Sequence, residues 1–167
     1  PELKDTVIEQ SIASINRSLL NANIRMAILL KDIPNAKEIL ERLKYSGAEQ
    51  TVILNCIKHS TKSLTSKIEL KQFLSKLNIP FDIYHTYRYA IDTDYPRYNM
   101  LAYYHEIQDA SEPYLLKHLA IDGNTIKGIG YQGKEIADVL HACLDEVIHH
   151  PENNDAKILI DMIKRTD

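Results

Sequence analysis

The chain has 167 residues, of which 44% are hydrophobic and 26% are charged, and its formal net charge is −3. This length and composition suit one compact folded unit or two small ones, and they disfavour an intrinsically disordered chain. Only five residues are glycine. So few turn-forming residues disfavour a sandwich or barrel of many strands, which needs a turn roughly every eight to twelve residues. The sequence therefore predicts an all-α fold.

Apolar spacing predicts helices in the first half of the chain. From Glu2 to Leu20 apolar residues recur at steps of three and four, the pattern of a helix with one buried face. Short helices are expected at Ile24 to Leu30 and at Ile39 to Leu43. Ser46 and Glu49 have the spacing of a capping box, which predicts that the next helix begins there.

The second half of the chain continues the helical pattern, with breaks at proline and at polar patches. The polar patch Asp109 to Pro113 is the best candidate boundary and divides the chain into a helical body, residues 1–110, and a small helical tail, residues 111–167. In chain order the predicted elements are a helix over Ile68 to Leu77, two helices between Tyr84 and Tyr104 that break near Asp92 to Pro96, a short helix around Leu115 to Leu119, a long helix over Ile136 to Ile148 that Pro151 stops, and a last helix capped by Asn154 or Asp155.

Cysteine usage and hydropathy bear on the compartment. Cys56 and Cys143 lie far apart on apolar stretches, which predicts free thiols in a reducing environment. No apolar run approaches the roughly 18 residues of a membrane span, and no signal segment opens the chain. We therefore expect a cytoplasmic protein with no membrane partner. The chain begins at Pro1 without a methionine, which suggests a piece of a longer protein.

Four of the five glycines fall within the segment from Ile121 to Ile136, which we call the glycine window. The pattern predicts a short helix, a Gly-x-Gly turn and a long helix that starts at about Gly133 or Lys134. Glycines let a phosphate approach the backbone, N–H groups at a helix N-terminus favour anions, and Lys127 and Lys134 add positive charge. The window is either a site for nucleic-acid phosphate or a set of helix caps at a tight packing point. It is not a dinucleotide fingerprint, because no strand precedes it.

Seven of the ten tyrosines lie between Tyr84 and Tyr104, together with Arg88 and Arg97. Aromatic rings interleaved with arginines could stack on bases and pair with phosphates, as in proteins that bind single-stranded RNA. The same spacing fits buried helical faces, and core packing is the stronger interpretation for most of these tyrosines. One or two of them remain candidates for RNA contact.

The sequence offers no enzyme active site. Asp92-Thr93-Asp94 has the spacing of a carboxylate pair that binds metal, but no strand or glycine-rich turn accompanies it, which indicates a surface loop. Cys56 and His59 lack a second pair at metal-ligand spacing. We therefore predict no catalytic residue, no cofactor-binding residue and no metal ligand in this chain.

Residues from position 113 onward, with a shorter segment upstream, carry a resemblance to a known family. The matching positions are Pro113 to Ile126, Gly128 to Ile136, Leu140, Leu144, Val147, Pro151 and Asn154, with Ile39 to Ser46 and Glu49 upstream. They resemble the C-terminal region of bacterial CCA-adding enzymes, which are class II tRNA nucleotidyltransferases related to bacterial poly(A) polymerases.

The resemblance implies a chain order of head, neck, body and tail, of which this chain would be the helical body and tail. Its role would be to hold the tRNA elbow, on the T-arm side, while the distant 3′ end grows. Its partners would be tRNA and the catalytic head and neck of the parent protein, and homo-oligomerisation stays open. Mg²⁺ and CTP or ATP would belong to the absent head. The candidate RNA contacts are Asn124, Lys127, Gly128, Gly130, Tyr131, Gly133, Lys134, Arg88 and Arg97.

Two other functions remain open at this point. The run from Lys127 to Gly130 between two helices also suits a helix-hairpin-helix device that binds the backbone of duplex DNA. A helical protein-interaction module with no nucleic-acid role fits the acidic net charge. Salt titration of RNA binding tests the protein-interaction module, since phosphate contacts would make binding strongly dependent on salt concentration.

Overall fold

The computed structural model describes residues 5–18 and 20–166, and over these residues the chain forms helices and turns without a β-strand. The predicted all-α class is confirmed. Short 3-10 helices occupy Leu116–His118 and Pro151–Asn153. The α-helices are α1 (Asp5–Arg17), α2 (Ala22–Leu30), α3 (Ala36–Arg42), α4 (Gly47–Lys58), α5 (Lys67–Leu74), α6 (Phe81–Ile91), α7 (Arg97–Asp109), α8 (Gly123–Gly128), α9 (Lys134–His149) and α10 (Ala156–Thr166).

Each predicted helix corresponds to an observed one, with shifts at the ends. The helix predicted over Ile68 to Leu77 ends earlier, at Leu74, and the short helix predicted around Leu115 to Leu119 is a single 3-10 turn. The capping box is present: Glu49 N donates to Ser46 Oγ at 3.3 Å, and Ser46 N donates to Glu49 Oε2 at 2.8 Å. These local signals were sufficient to locate α4.

The structure of α1 differs from the predicted apolar stripe at Ile12. Of the predicted apolar stripe, Leu3 and Leu19 lie outside the described residues, as do the side chains of Val7 and Ile8. Ile12 is half-exposed. Among the described side chains of α1, Ser11 and Ser14 are buried, as is Ser18 directly after the helix.

Helix α1 packs against α2 and α6 within the same compact unit. Small serine side chains let helix backbones approach closely, which explains why a polar face is buried there. The Arg17 guanidinium adds a specific contact, since its Nε and Nη2 donate to Ala90 O at 3.0 and 2.7 Å. Ala90 lies in the last turn of α6, so Arg17 satisfies a carbonyl that the helix leaves without an internal partner.

The chain divides into two compact units by its internal contacts. Unit 1 is formed from Pro1–Ser63 and Leu77–Asn99, and unit 2 from Leu64–Lys76 and Met100–Asp167. The division into a body to residue 110 and a tail from residue 111 stays a prediction. The contacts group the residues differently, because α5 packs against α9 and so belongs with the C-terminal segment.

A buried ammonium group explains why α5 belongs to unit 2. The side chain of Lys71 is only 1% exposed, yet its Nζ lies 3.0 Å from Glu112 Oε2 and donates to Ile148 O at 2.9 Å. The other oxygen of Glu112 lies 2.8 Å from Lys67 Nζ. Ser111, with φ of 50°, turns the chain after α7 and so brings Glu112 to this position. The carboxylate compensates the buried charge, which would otherwise be very costly.

We expect the substitution Glu112→Gln to lower the free energy of unfolding by about 3 kcal/mol at pH 7, because it leaves the Lys71 ammonium buried without a counter-ion. Lys67→Gln, at a more exposed position, should cost less. Urea denaturation measures both changes. Equal losses in the two variants would contradict this account.

Comparison of the wild type with Glu112→Gln also tests how the free energy of unfolding depends on pH. Burial acts to raise the pKa of Glu112, but hydrogen bonds from Lys67 and Lys71 outweigh it and hold that pKa below its ordinary value of 4.5. A carboxyl whose pKa is lowered by folding stabilises the protein above its unfolded pKa, and this contribution disappears as the pH falls through the folded pKa. The stability difference between wild type and Glu112→Gln should therefore shrink below about pH 4.5.

Candidate nucleic-acid interface

The glycine window lies in unit 2 and forms α8, an exposed turn and the start of α9. Asp122 caps α8, since its Oδ1 accepts from Thr125 N at 2.9 Å and from Thr125 Oγ1 at 3.0 Å. These bonds lower the pKa of the Asp122 carboxyl. The predicted order of short helix, turn and long helix is confirmed, and α9 begins at Lys134 as expected.

Backbone conformation, rather than close packing, explains the glycines of the turn. Gly130 has φ of 116° and Gly133 has φ of 55°, values that side-chain-bearing residues rarely adopt. A Cβ atom built at Gly128, Gly130 or Gly133 would meet no atom within 4 Å. Only at Gly123 would it touch a neighbour, Ile136 Cγ2 at 3.5 Å. The expectation of tight packing at Gly128, Gly130 and Gly133 is therefore wrong. The expectation of a helix cap holds at Gly133, which is the N-cap residue of α9.

The N-terminus of α9 has no side-chain cap at Gly133. A helix start leaves backbone N–H groups without partners and carries partial positive charge. Glu135 bonds back to the turn, since its carboxylate accepts from Gln132 N at 3.3 Å. Within the part of the chain that the structure describes, neither Lys127 nor Lys134 has an ion-pair partner, and both are exposed. Glu135 N in turn donates to Gln132 O at 3.2 Å, so the helix start is partly bonded within the chain, and the two exposed ammonium groups lie on either side of the turn in the sequence.

The glycine window is held on a small apolar core of unit 2. Tyr131, a predicted RNA contact, is half-buried and packs against this core, whereas Asn124 is exposed on α8. The buried members of the core are Ile121, Ile126, Cys143, Val147, Leu159 and Ile163. Residues from α8, α9 and α10 contribute, so the turn is anchored on both sides.

Asn154 positions the chain before the window, a role that sequence analysis missed. Its Oδ1 accepts from Ala120 N at 2.8 Å and its Nδ2 donates to His118 O at 2.9 Å. The cap of α10 is Asp155, whose Oδ1 accepts from Lys157 N at 2.9 Å. Local patterns cannot identify the partners of Asn154, because they lie more than thirty positions away in the sequence.

The two predicted arginine contacts lie in unit 1 and differ in exposure. Arg88 is buried, with its Nη2 2.8 Å from Asp92 Oδ2 and its guanidinium 5.3 Å from the centre of the Tyr95 ring. Its charge is therefore compensated inside the unit. Arg97 is half-exposed and lies beside the rings of Tyr89 and Tyr98.

The tyrosines of this region divide in the same way. Tyr84, Tyr87 and Tyr95 are buried, as the core-packing interpretation predicted, and burial raises the pKa of each phenol. Tyr98, in contrast, is 71% exposed. The region therefore contains a packed core and one exposed ring.

Both cysteines are buried free thiols. Burial raises the pKa of Cys56 to about 12, which disfavours the thiolate, and it also raises the pKa of Cys143. No group of three His, Cys, Asp or Glu side chains in residues 5–18 and 20–166 is placed to hold a metal ion. No helix in these ranges is long and apolar enough to cross a membrane.

Comparison with protein-family models, with curated proteins and with solved structures finds no match to this chain. The resemblance to CCA-adding enzymes accordingly depends on the matching residues alone. The geometry of the glycine window is independent of it.

We expect Gly130→Ala to lower the free energy of unfolding by about 1–3 kcal/mol, because alanine is strained at φ of 116° even though space is available. Gly128→Ala is the matched control, since this glycine is the last residue of α8 and also has open space beside it. Its substitution should change stability by less than about 0.5 kcal/mol. Thermal unfolding compares the two variants, and equal effects would show that conformation is not the reason for Gly130.

Proposed function

We propose that this chain binds tRNA through the glycine window, as the body and tail part of a CCA-adding tRNA nucleotidyltransferase. The observation that carries the proposal is the uncapped start of α9 beside two exposed lysines and an open glycine turn. The resemblance over residues 113–154 supplies the partner. Catalysis, with Mg²⁺ and CTP or ATP, would belong to the head of the parent protein.

A phosphate is the ligand that this geometry suits best. Helix N-termini bind phosphates because their N–H groups point at the ligand and the helix dipole favours negative charge. At Gly133 no side chain obstructs the backbone at the start of α9, so a phosphate oxygen can approach the helix start there, whereas Gly130 N already donates to Lys127 O at 3.1 Å. Lys127 and Lys134 add charge on either side of the turn.

Backbone contacts of this kind suit a protein that must accept every tRNA. Phosphate contacts fix position and orientation without reading base sequence, and RNA helices are recognised mainly by shape. A large basic field is unnecessary for a few such contacts, so a net charge of −3 is compatible with the proposal. Two to three phosphate contacts predict a slope of about −2 for the logarithm of affinity against the logarithm of salt concentration.

We expect Lys134→Glu to weaken tRNA binding several-fold and to reduce the magnitude of the salt slope by about 1, because one phosphate contact is lost. The fold should survive, since an acidic residue in the first turn of α9 is favourable to the helix dipole. Lys157→Glu is the matched control, because Lys157 is an exposed lysine in the first turn of α10 and also has no ion-pair partner in the described ranges.

Filter binding or fluorescence anisotropy with tRNA and duplex DNA measures these affinities. Unchanged binding by Lys134→Glu would remove Lys134 from the interface. Equal affinity for tRNA and duplex DNA would favour a general backbone binder of the helix-hairpin-helix kind. No binding to either nucleic acid at low salt would favour a protein-interaction module.

A further inference from the structure

A small cavity in unit 1 is separate from the glycine window in sequence and in composition. It has a volume of about 250 Å³ and lies where α6 is followed by the start of α7. Its lining includes the tyrosines Tyr89, Tyr95 and Tyr98, together with Pro96 and Arg97. Such a cavity is smaller than the pockets of roughly 300–1,000 Å³ that enclose drug-sized ligands, so it suits a single planar ring system.

Arg97 organises the aromatic lining. Its guanidinium carbon lies 4.2 Å from the ring centre of Tyr89 and 4.4 Å from that of Tyr98. Arg97 also donates a hydrogen bond to the Tyr98 hydroxyl. Within the described ranges Arg97 has no ion-pair partner. A positive charge is thus held against two rings without a carboxylate to neutralise it.

Hydrogen bonds and an ion pair hold the loop that carries Arg97. Arg97 N donates to Tyr95 O at 2.7 Å, and the buried Tyr95 hydroxyl lies 3.2 Å from His85 Nδ1. Asp92 is held by Arg88 and accepts from Asp94 N at 3.0 Å. The backbone that carries Arg97 is therefore held by contacts within unit 1.

Tyr98 is the exposed aromatic residue beside Arg97. Its side chain is 71% exposed, the highest value among the tyrosines, whereas Tyr84 and Tyr87 are fully buried. An aromatic ring that is both exposed and held in place offers a π-face for stacking at little entropic cost.

We propose that Tyr98 and Arg97 bind one unpaired nucleobase of RNA, which stacks on the exposed tyrosine ring. An aromatic cage ordinarily takes a cationic guest, but here Arg97 already occupies the cation position, so a lysine or arginine side chain of a partner would be repelled. Base faces stack on aromatic rings and on guanidinium planes alike, without sequence preference.

The base and the phosphate of one nucleotide would contact different groups at this cavity. The exposed ring of Tyr98 offers a face to the base, while Arg97, which has no ion-pair partner in the described ranges, attracts the adjoining phosphate. The contribution of the base is therefore measured against a strand that keeps the phosphates and lacks the bases. The inference shares the RNA ligand of the proposed function but involves different residues.

Fluorescence anisotropy with the full chain tests this inference, using a short labelled oligoadenylate and an abasic oligonucleotide of the same length. The wild type should bind oligoadenylate about tenfold tighter than the abasic strand, which corresponds to about 1.4 kcal/mol. Tyr98→Ala should abolish this ratio, and Tyr98→Phe should keep it because the ring remains. Tyr45→Ala, at a half-exposed tyrosine elsewhere in unit 1, should also keep it.

The proposal is overturned if the wild type binds the two strands equally or binds neither, or if Tyr98→Ala retains the ratio. Lys134→Glu separates it from the proposed function. That variant should leave the ratio unchanged, because Lys134 makes no contact with the base. If tRNA binding is insensitive to Lys134→Glu while the ratio persists and depends on Tyr98, the phosphate site fails and the base site stands.

Discussion

The ammonium group of Lys71 joins three segments of unit 2 that are distant in the sequence. It contacts the Glu112 carboxylate after α7 and the Ile148 carbonyl in the last turn of α9, while its own helix, α5, precedes both. A cation at the C-terminus of a helix complements the helix dipole. A carbonyl at the C-terminus of α9 is therefore bonded inside the protein, whereas no side chain caps its N-terminus at Gly133. The proposed phosphate site lies at this uncapped end of the helix.

The turn before α9 makes that helix start accessible. Backbone conformation requires glycine at Gly130 and Gly133, and no side chain stands beside either of them. Attraction for phosphate then comes from a helix end and two lysines rather than from the acidic chain as a whole. In unit 1 the corresponding accessible feature is a tyrosine ring supported by Arg97. The first feature suits RNA phosphate and the second suits a base.

Sequence patterns predicted what depends on near neighbours in the chain. The helices, the capping box at Ser46 and the turn between α8 and α9 all follow from contacts within a few residues. Features set by distant partners could not be predicted in this way. Lys71 and Glu112 are 41 positions apart, and Asn154 bonds to residues 34 and 36 positions away. The serine face of α1 was missed because its burial depends on how closely two other helices approach.

The candidate site shows the same division. The sequence located the glycine window and its lysines, since glycine spacing and helix starts are local signals. The sequence did not distinguish Arg88, which forms an ion pair with Asp92, from Arg97, which has no ion-pair partner in the described ranges. Nor did it distinguish Tyr98 from the buried tyrosines, because exposure depends on tertiary packing.

The central claim is that backbone N–H groups at the start of α9 contact RNA phosphate. Titration of the isotope-labelled chain with tRNA, followed by backbone-amide NMR, observes these groups directly. The account predicts that the amide resonances from Gly130 to Glu135 shift most within unit 2 as tRNA is added. If tRNA binds while these resonances stay in place, or if no resonance of the chain responds at low salt, the account is contradicted.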